Sequence, residues 1–573
     1  MRKLLIYLKN YKKEVVLAPL FKMLEAFFEL LVPLVMASII DIGIPGNDKN
    51  YIVKMCLIMV ALGVVGLVCT SIAQFFSAKA AAGFAAKLKR ALFKHIQHFS
   101  FSEEDTMGSS TLINRITSDS NQLQTGVNLF LRLFMRSPFI VFGAMIMAFT
   151  IDVRSAMIFV VTIPLLMIVV FGIMLISLPL YRKVQQHLDN VLGSVRENLA
   201  GTRVIRAFNK EEEEISEFRE KTTALNKSQL FVGRISALMN PLTFVIINLA
   251  IIVIINTGAL RVDTGIITQG QLVALVNYMS QILIELIKLA NLIIIMTKAV
   301  TSGRRIQKVF EIPTGITVNS FSDINEDKNI AVKFENVSLK YKNAGAESLS
   351  NINFEINRGQ TVGIIGGTGS GKTSVVNLIP RFYDVTEGRV LVNGVNANEY
   401  PVEQLRKKIG IVPQKAVLFK GTIRTNLLWG NDNASEDDLW EALAIAQADA
   451  FVKEKEGVLD AYVAQNGRNF SGGQRQRLTI ARALVRKPEI LILDDSSSAL
   501  DYATDAALRK EIKNLSYRPT TFIVSQRTAS IQHADSIIVM DDGEMVGVGT
   551  HEELLESCEV YKEIYSSQFK KAK

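Results

Sequence analysis

The sequence predicts an α-helical membrane domain of six transmembrane helices followed by an α/β domain of P-loop type. Three observations carry that prediction. Long apolar stretches are confined to the chain before about Val300, a glycine-rich loop follows a short apolar strand near Gly366, and Lys and Arg crowd one set of connections between the apolar stretches. At 573 residues, 49% of them hydrophobic, the chain is too long for one domain. A net charge of +9 raises nucleic acid as a partner, yet the basic residues sit beside apolar spans and not on one soluble face, so no nucleic acid is expected. The three cysteines, Cys56, Cys69 and Cys558, have no C-x-x-C spacing and form neither a disulfide framework nor a Cys/His metal site.

In chain order, Met1–Lys13 is basic and loosely amphipathic, as expected of a short elbow helix on the membrane surface. Six stretches follow, each long enough for a span of roughly 20 residues. They run Val15–Ile40, Val53–Ala73, Leu129–Ile151, Ala156–Leu180, Leu242–Leu260 and Leu272–Thr297. The loops Asp41–Asn50, Ile151–Arg154 and Arg261–Gly270 are short and poor in base. The opposite connections are long and carry Lys87, Lys89, Arg90, Arg115, Arg182, Arg203 and Arg206. The positive-inside rule then puts both termini in the cytoplasm. Polar helical patterning predicts that the membrane helices continue past the bilayer, reversing near Glu103–Ser110 and Phe208–Glu213. The expected domains are residues 1–311 (membrane, with elbow and two long intracellular loops), 312–330 (linker) and 331–573 (nucleotide-binding).

The strand Val362–Gly366 runs into Gly366, Gly367, Thr368, Gly369, Ser370, Gly371, Lys372, Thr373 and Ser374, a complete P-loop. Its glycines turn backbone N–H groups toward phosphates, Lys372 neutralises their charge, and the Thr373 hydroxyl suits Mg²⁺. The apolar strand Leu491–Asp494 ends in a carboxylate placed for the same metal. ATP and Mg²⁺ are therefore the expected cofactors.

Between these motifs stand Phe470, Ser471, Gly472, Gly473 and Gln474, the signature by which the chain resembles ATP-binding cassette (ABC) proteins. Six spans and one cassette resemble a half-transporter of the ABC exporter type, closest in kind to the degenerate-site subunit of heterodimeric bacterial multidrug exporters. The resemblance implies that Tyr341 stacks on adenine and that Gln414 touches the metal and the attacking water. It also implies that Ser498, Ala499, Leu500 and Asp501 form the D-loop, and that Ser471 and its neighbours complete a partner's site in trans. It makes the segments near Asp105–Ser110 and Ala207–Glu212 the coupling helices.

The chain departs from the family at two positions. Asp495 stands where the general base is a glutamate, and Gln526 where a histidine contacts the γ-phosphate. An aspartate is one methylene shorter, and a misplacement of roughly 1 Å costs on the order of 10²-fold in rate. Glutamine neither carries charge nor exchanges a proton near neutral pH. The five histidines, His95, His98, His187, His533 and His551, all lie elsewhere. Ala464 and Gln465, before the signature, replace the usual Gly and Glu. The expectation is an ATP-driven exporter subunit in a bacterial plasma (inner) membrane, hydrolysing weakly in its own site. Its partner is a second half-transporter carrying the complete Glu and His.

Charged residues within spans are costly and usually functional or paired. Glu29, Gln281 and Glu285 are the candidates for a cavity that attracts amphipathic compounds, with interhelical pairing as the competing reading. A dedicated lipid or peptide exporter, or an ATP-gated regulatory subunit, is the alternative function.

Overall fold

The computed structural model describes residues 3–314, 327, 329–342 and 344–569. It divides into two compact units, Met1–Ile96 with Ser110–Ile312, and Gln97–Ser109 with Pro313–Lys573. Most of the expected linker 312–330 lies outside the described residues.

Among the described residues, six helices are long and apolar enough to cross a membrane: Leu4–Gly43, Lys49–Ile96, Ser109–Ile151, Val153–Ala207, Glu211–Asp263 and Gln269–Glu311. Each contains one of the six apolar stretches and outruns it, because the polar flanks keep helical character without glycine or proline clusters. The elbow is a tight 3-10 turn, Leu4–Tyr11, feeding α1 (Lys12–Ser38). Its neighbour α2 (Lys49–Ile96) is kept close at Gly83, where a Cβ would fall 2.1 Å from the Tyr11 ring. The first reversal is a short helix, α3 (Phe101–Met107), ended by Gly108 at φ 71. Next come α4 (Arg136–Ile151) and α5 (Val153–Ala207). The second reversal, at Phe208–Lys210 with Asn209 at φ 51, leads to α6 (Glu211–Ala237). The unit closes with α7 (Met239–Asp263) and α8 (Gln269–Glu311). Tyr278, Ile282 and Leu286 of α8 are fully buried in a core shared with α1, α4, α5 and α7.

The base-poor loops are tied by carboxylates. Asp152 caps α5 through Ser155 and pairs with Arg261, and Asp41 accepts from the Gly270 amide at 2.7 Å. A buried acid satisfied by helix N–H groups and a cation holds two helix ends together.

Among the described residues the second unit has two larger sheets and a two-stranded ribbon. An antiparallel one contains β1 (Ile330–Leu339) and β2 (Leu349–Asn357), with β4 (Glu387–Val392) and β5 (Val395–Asn396), ordered β2-β1-β4-β5. The larger sheet is built on β3 (Thr361–Gly366), β6 (Ile409–Val412), β9 (Ile490–Asp494) and β10 (Thr520–Val524), with β11 (Ser536–Asp541) and β12 (Glu544–Gly549). Its order is β12-β11-β3-β10-β9-β6, and all pairs but the outermost β12–β11 are parallel. A small ribbon pairs β7 (Gly421–Thr422) with β8 (Tyr462–Val463). Phe522 of β10 lies between Val362 and Ile492, so the strands on either side of β10 end at the same edge. That edge is where parallel α/β sheets bind ligands. Helices α9 (Lys372–Leu378), α10 (Gly472–Leu484), α11 (Tyr502–Lys513) and α12 (Glu559–Phe569) complete the unit.

Candidate nucleotide-binding site

β3 ends at Gly366, where a Cβ would meet the Met540 carbonyl at 2.0 Å, so only glycine lets the loop leave the sheet here. The loop then closes on Lys372, whose ammonium donates to the carbonyls of Gly366 (3.0 Å) and Gly367 (2.5 Å) and to Ser370 Oγ (3.3 Å). Lys372 is buried, and that burial holds its pKa below the usual lysine value, with Asp495 and Asp494 opposing. The cation is thus already placed where polyphosphate oxygens are bound in P-loops.

Thr373 Oγ1 donates to Asp494 Oδ1 at 3.1 Å across the β3–β9 edge. Burial raises the Asp494 pKa; Thr373 lowers it, neighbouring Asp495 raises it and Lys372 lowers it, the balance staying upward. Together with the Gln414 amide, this is an all-oxygen donor set that fits Mg²⁺, a hard cation. Among the described residues no group of three His, Cys, Asp or Glu gathers to hold another kind of metal.

The cleft over the loop has a volume of 360 Å³ and is lined by Thr368, Gly369, Gly371–Ser374, Gln414, Asp494, Asp495 and Gln526. The expected site residues from four separate segments therefore meet. Asp495 sits at φ 45, in the left-handed region, which Asp and Asn enter at less cost than longer side chains. Its amide donates to the Val524 carbonyl at 3.0 Å, and its carboxylate accepts from Gln414 Nε2 at 3.3 Å. Gln526 is exposed, and its carbonyl accepts from Gln568 Nε2 at 2.7 Å. The other end of the Gln568 amide takes the Thr528 N–H at 2.9 Å, so α12 fastens the loop carrying Gln526.

Tyr341 does not line the cleft but joins it through Ser374, hydroxyl to hydroxyl at 2.8 Å. Phe470–Gln474 lie away from it too. Ser471 caps α10 in a capping box with Gln474, and both Ser471 and Gly472 are exposed. The segment expected to form the D-loop turns directly after Asp495: Ser498 donates to the Asp495 carbonyl at 2.8 Å, Leu500 is buried, and Asp501 caps α11 through Thr504. A Cβ on Gly473 would stand 3.1 Å from the Ala499 carbonyl, so signature and D-loop are neighbours within this one chain. Sequence reasoning missed Glu347, Ser348, Asp542 and Gly543, which also line the cleft. The Asp542-Gly543 pair signals only a turn between β11 and β12. Gln568 carried no signal.

In the membrane unit, the expectation that Glu29, Gln281 and Glu285 line an open cavity needs correction at Glu285. Glu285 is 3% exposed and accepts from Arg136 (2.5 Å), Ser137 (2.8 Å) and Lys288 (2.8 Å). Arg136 also binds Glu29 at 2.6 Å and lies 3.8 Å from Glu25, which pairs with Lys22. Gln281 is half-buried with its Oε1 enclosed and without a hydrogen-bond partner among the described residues. Three carboxylates thus meet three cations in a neutral cluster tying α1, α4 and α8. The physical reason is the cost of an unpaired carboxylate in a span. Glu29, with its side chain 40% exposed, is the most open of the three acids.

Comparison with known proteins agrees with this geometry. The ABC transporter transmembrane region family matches residues 15–286, and the ABC transporter family matches residues 349–498. The chain is 35% identical to the uncharacterised ABC transporter ATP-binding protein YfiB of Bacillus subtilis, covering 99% of both chains. It is 36% identical to the uncharacterised Rv1273c of Mycobacterium tuberculosis, over 98% of this chain and 97% of that one. Identity is 30% to YgaD of Bacillus subtilis, provisionally named a multidrug export ATP-binding/permease protein, over 99% of each. In fold it is similar to a bacterial Atm1-family ABC exporter with ATP bound, at a TM-score of 0.82 and 22% identity, covering 97% of this chain and 99% of the other. The chain belongs to the ABC transporter family, as an exporter half-transporter that joins a multi-pass membrane domain to an ATP-hydrolysing cassette.

Proposed function

We propose that this chain is the weak-site subunit of a heterodimeric multidrug-type exporter, with Mg²⁺-ATP held by Lys372, Thr373, Asp494 and Gln414. The observation that carries this reading is the composition of the cleft. Lys372, Thr373, Asp494 and Gln414, all suited to gripping the phosphates and their metal, line it, while the two groups suited to cleavage are replaced by Asp495 and Gln526. When bound, Mg²⁺ supplies charge neutralisation on the phosphates. Lys372 neutralises them from the loop side, and Tyr341 offers a ring face for the base. Asp495 is the group placed to take a proton from water, but its shorter arm is drawn toward Gln414, which supports slow turnover. Exposed Ser471 and Gly472 are free to meet a phosphate bound by another subunit, since the start of a helix favours anions. The partner then supplies the complete Glu and His, and ATP closure of the two cassettes drives export of amphipathic compounds. The setting proposed is a bacterial inner membrane with both termini cytoplasmic.

Purifying the chain alone and with its partner tests this. Asp495→Asn should change ATPase of the pair by less than about twofold, whereas Ser471→Arg should remove most of it, on the order of 10²-fold. Brisk hydrolysis by the isolated chain would refute the asymmetric scheme.

A further inference from the structure

The segment 97–109, inserted between two membrane helices, packs as part of the cassette unit. Its helix α3 starts behind a capping box formed by Ser100 and Glu103. Two side chains of α3 reach the same stretch of the cassette. Phe101 lies against Phe382 with ring centroids 4.4 Å apart, and Asp105 accepts the Tyr383 hydroxyl at 2.6 Å. The Tyr383 ring stands edge-on to Tyr341, centroids 4.9 Å apart at 88°. Tyr341 in turn shares its hydroxyl with Ser374, next to Thr373. Asp105, Tyr383, Tyr341 and Ser374 thus form an unbroken file from α3 to the P-loop.

The stretch that carries Tyr383 is stiff. Arg381 is held at φ 51 and pairs with Asp384 at 2.6 Å. Arg406 donates to the carbonyls of Pro380 (3.1 Å) and Arg381 (3.0 Å) and lies 5.0 Å from the Phe382 ring centre. A close-packed mount transmits a displacement instead of absorbing it. Burial and the bond to Asp105 push the Tyr383 phenol up, so its hydroxyl stays a donor at any physiological pH. Between α3 and the Tyr341 loop lies a cleft of 170 Å³, lined on one side by Ser100, Ser102 and Glu103, which leaves room for α3 to shift.

We propose that Tyr383 is a positioning residue that reads whether a base covers the Tyr341 ring and passes that state to α3 through Asp105. The proposal rests on the assignment of Tyr341 to the base. A base stacked on Tyr341 fixes its ring plane, and the edge contact obliges Tyr383 to follow. The Tyr383–Asp105 bond is charge-assisted and ties α3 to that movement. Phosphate contacts through Lys372 and Thr373 leave the Tyr341 ring uncovered, since Tyr341 does not line that cleft.

Hydrogen exchange on the full chain, read by mass spectrometry, tests it with two probes, Mg²⁺-ATP and Mg²⁺-tripolyphosphate. ATP should change exchange in residues 101–107 by about tenfold, while tripolyphosphate protects the P-loop and leaves 101–107 unchanged. Tyr383→Phe and Asp105→Asn should each abolish the change at α3 while P-loop protection by ATP persists, and the double variant should be no worse than either. Asp105 is exposed, so its variant keeps the fold even if Tyr383→Phe loosens it. Equal effects of ATP and tripolyphosphate at α3, or wild-type behaviour in both variants, would overturn the relay. No P-loop protection by ATP in the unaltered chain would instead remove the nucleotide reading, and the relay with it.

Discussion

Two places in this chain set carboxylates against a cation, and they behave in opposite ways. At the P-loop, Lys372 faces Asp494 and Asp495 across an open cleft, bonded only to backbone carbonyls and one serine. In the membrane domain, Arg136 is 7% exposed and its two terminal guanidinium nitrogens donate to Glu285 and Glu29. The first cation borders a cleft open to solvent; the second is enclosed against protein carboxylates. Charge in a span is therefore no guide to a binding cavity here, whereas charge at a loop–helix junction is.

The contrast breaks most visibly if Arg136 is replaced. Arg136→Met strands buried carboxylates, and the membrane domain should lose about 3–5 kcal/mol, seen as a lower Tm in detergent. Lys372→Met should leave Tm nearly unchanged but abolish retention of labelled ATP. Similar Tm losses in both variants would dissolve the distinction.

Next in size is a gain of function. Asp495→Glu combined with Gln526→His should raise single-turnover hydrolysis in this chain's own site by about 10²-fold. Asp495→Glu alone should give less, because Gln526 still carries no charge toward the γ-phosphate. A double variant no faster than the starting chain would place the defect outside these two side chains.

A smaller effect follows from pH. The Asp494 pKa is raised, first by burial, so its carboxylate is protonated at a higher pH than an ordinary aspartate. Affinity for Mg²⁺-ATP should be full above that raised pKa and fall as pH drops through it. Affinity for metal-free ATP should not fall over the same range. Smallest of all, Gln568→Ala frees the Gln526 carbonyl and the Thr528 amide, and local exchange at 526–528 should quicken by roughly fivefold.

What the sequence made legible was local. The P-loop, the strand ending in Asp494 and the signature each lie within a few residues, so spacing alone placed them. Apolar length likewise gave the six helices, because the bilayer sets that length. The partners of Arg136 could not be read, since Glu29 and Glu285 lie 107 and 149 residues away and helix packing decides which faces meet. Nor could the left-handed turn at Asp495 or the clasp from Gln568, which depend on how β10 and α12 end. Asp105 was expected to couple, but Tyr383 as the donor to its carboxylate emerged only from the fold.

The outward cap at Ser471 carries a consequence for inheritance. On the proposed pairing, a lesion there would leave this polypeptide folded and loaded, yet silence the catalytic centre encoded by another gene. Carried on a plasmid beside the intact locus, such an allele should behave as dominant, poisoning every pair it enters, whereas a null allele would be recessive.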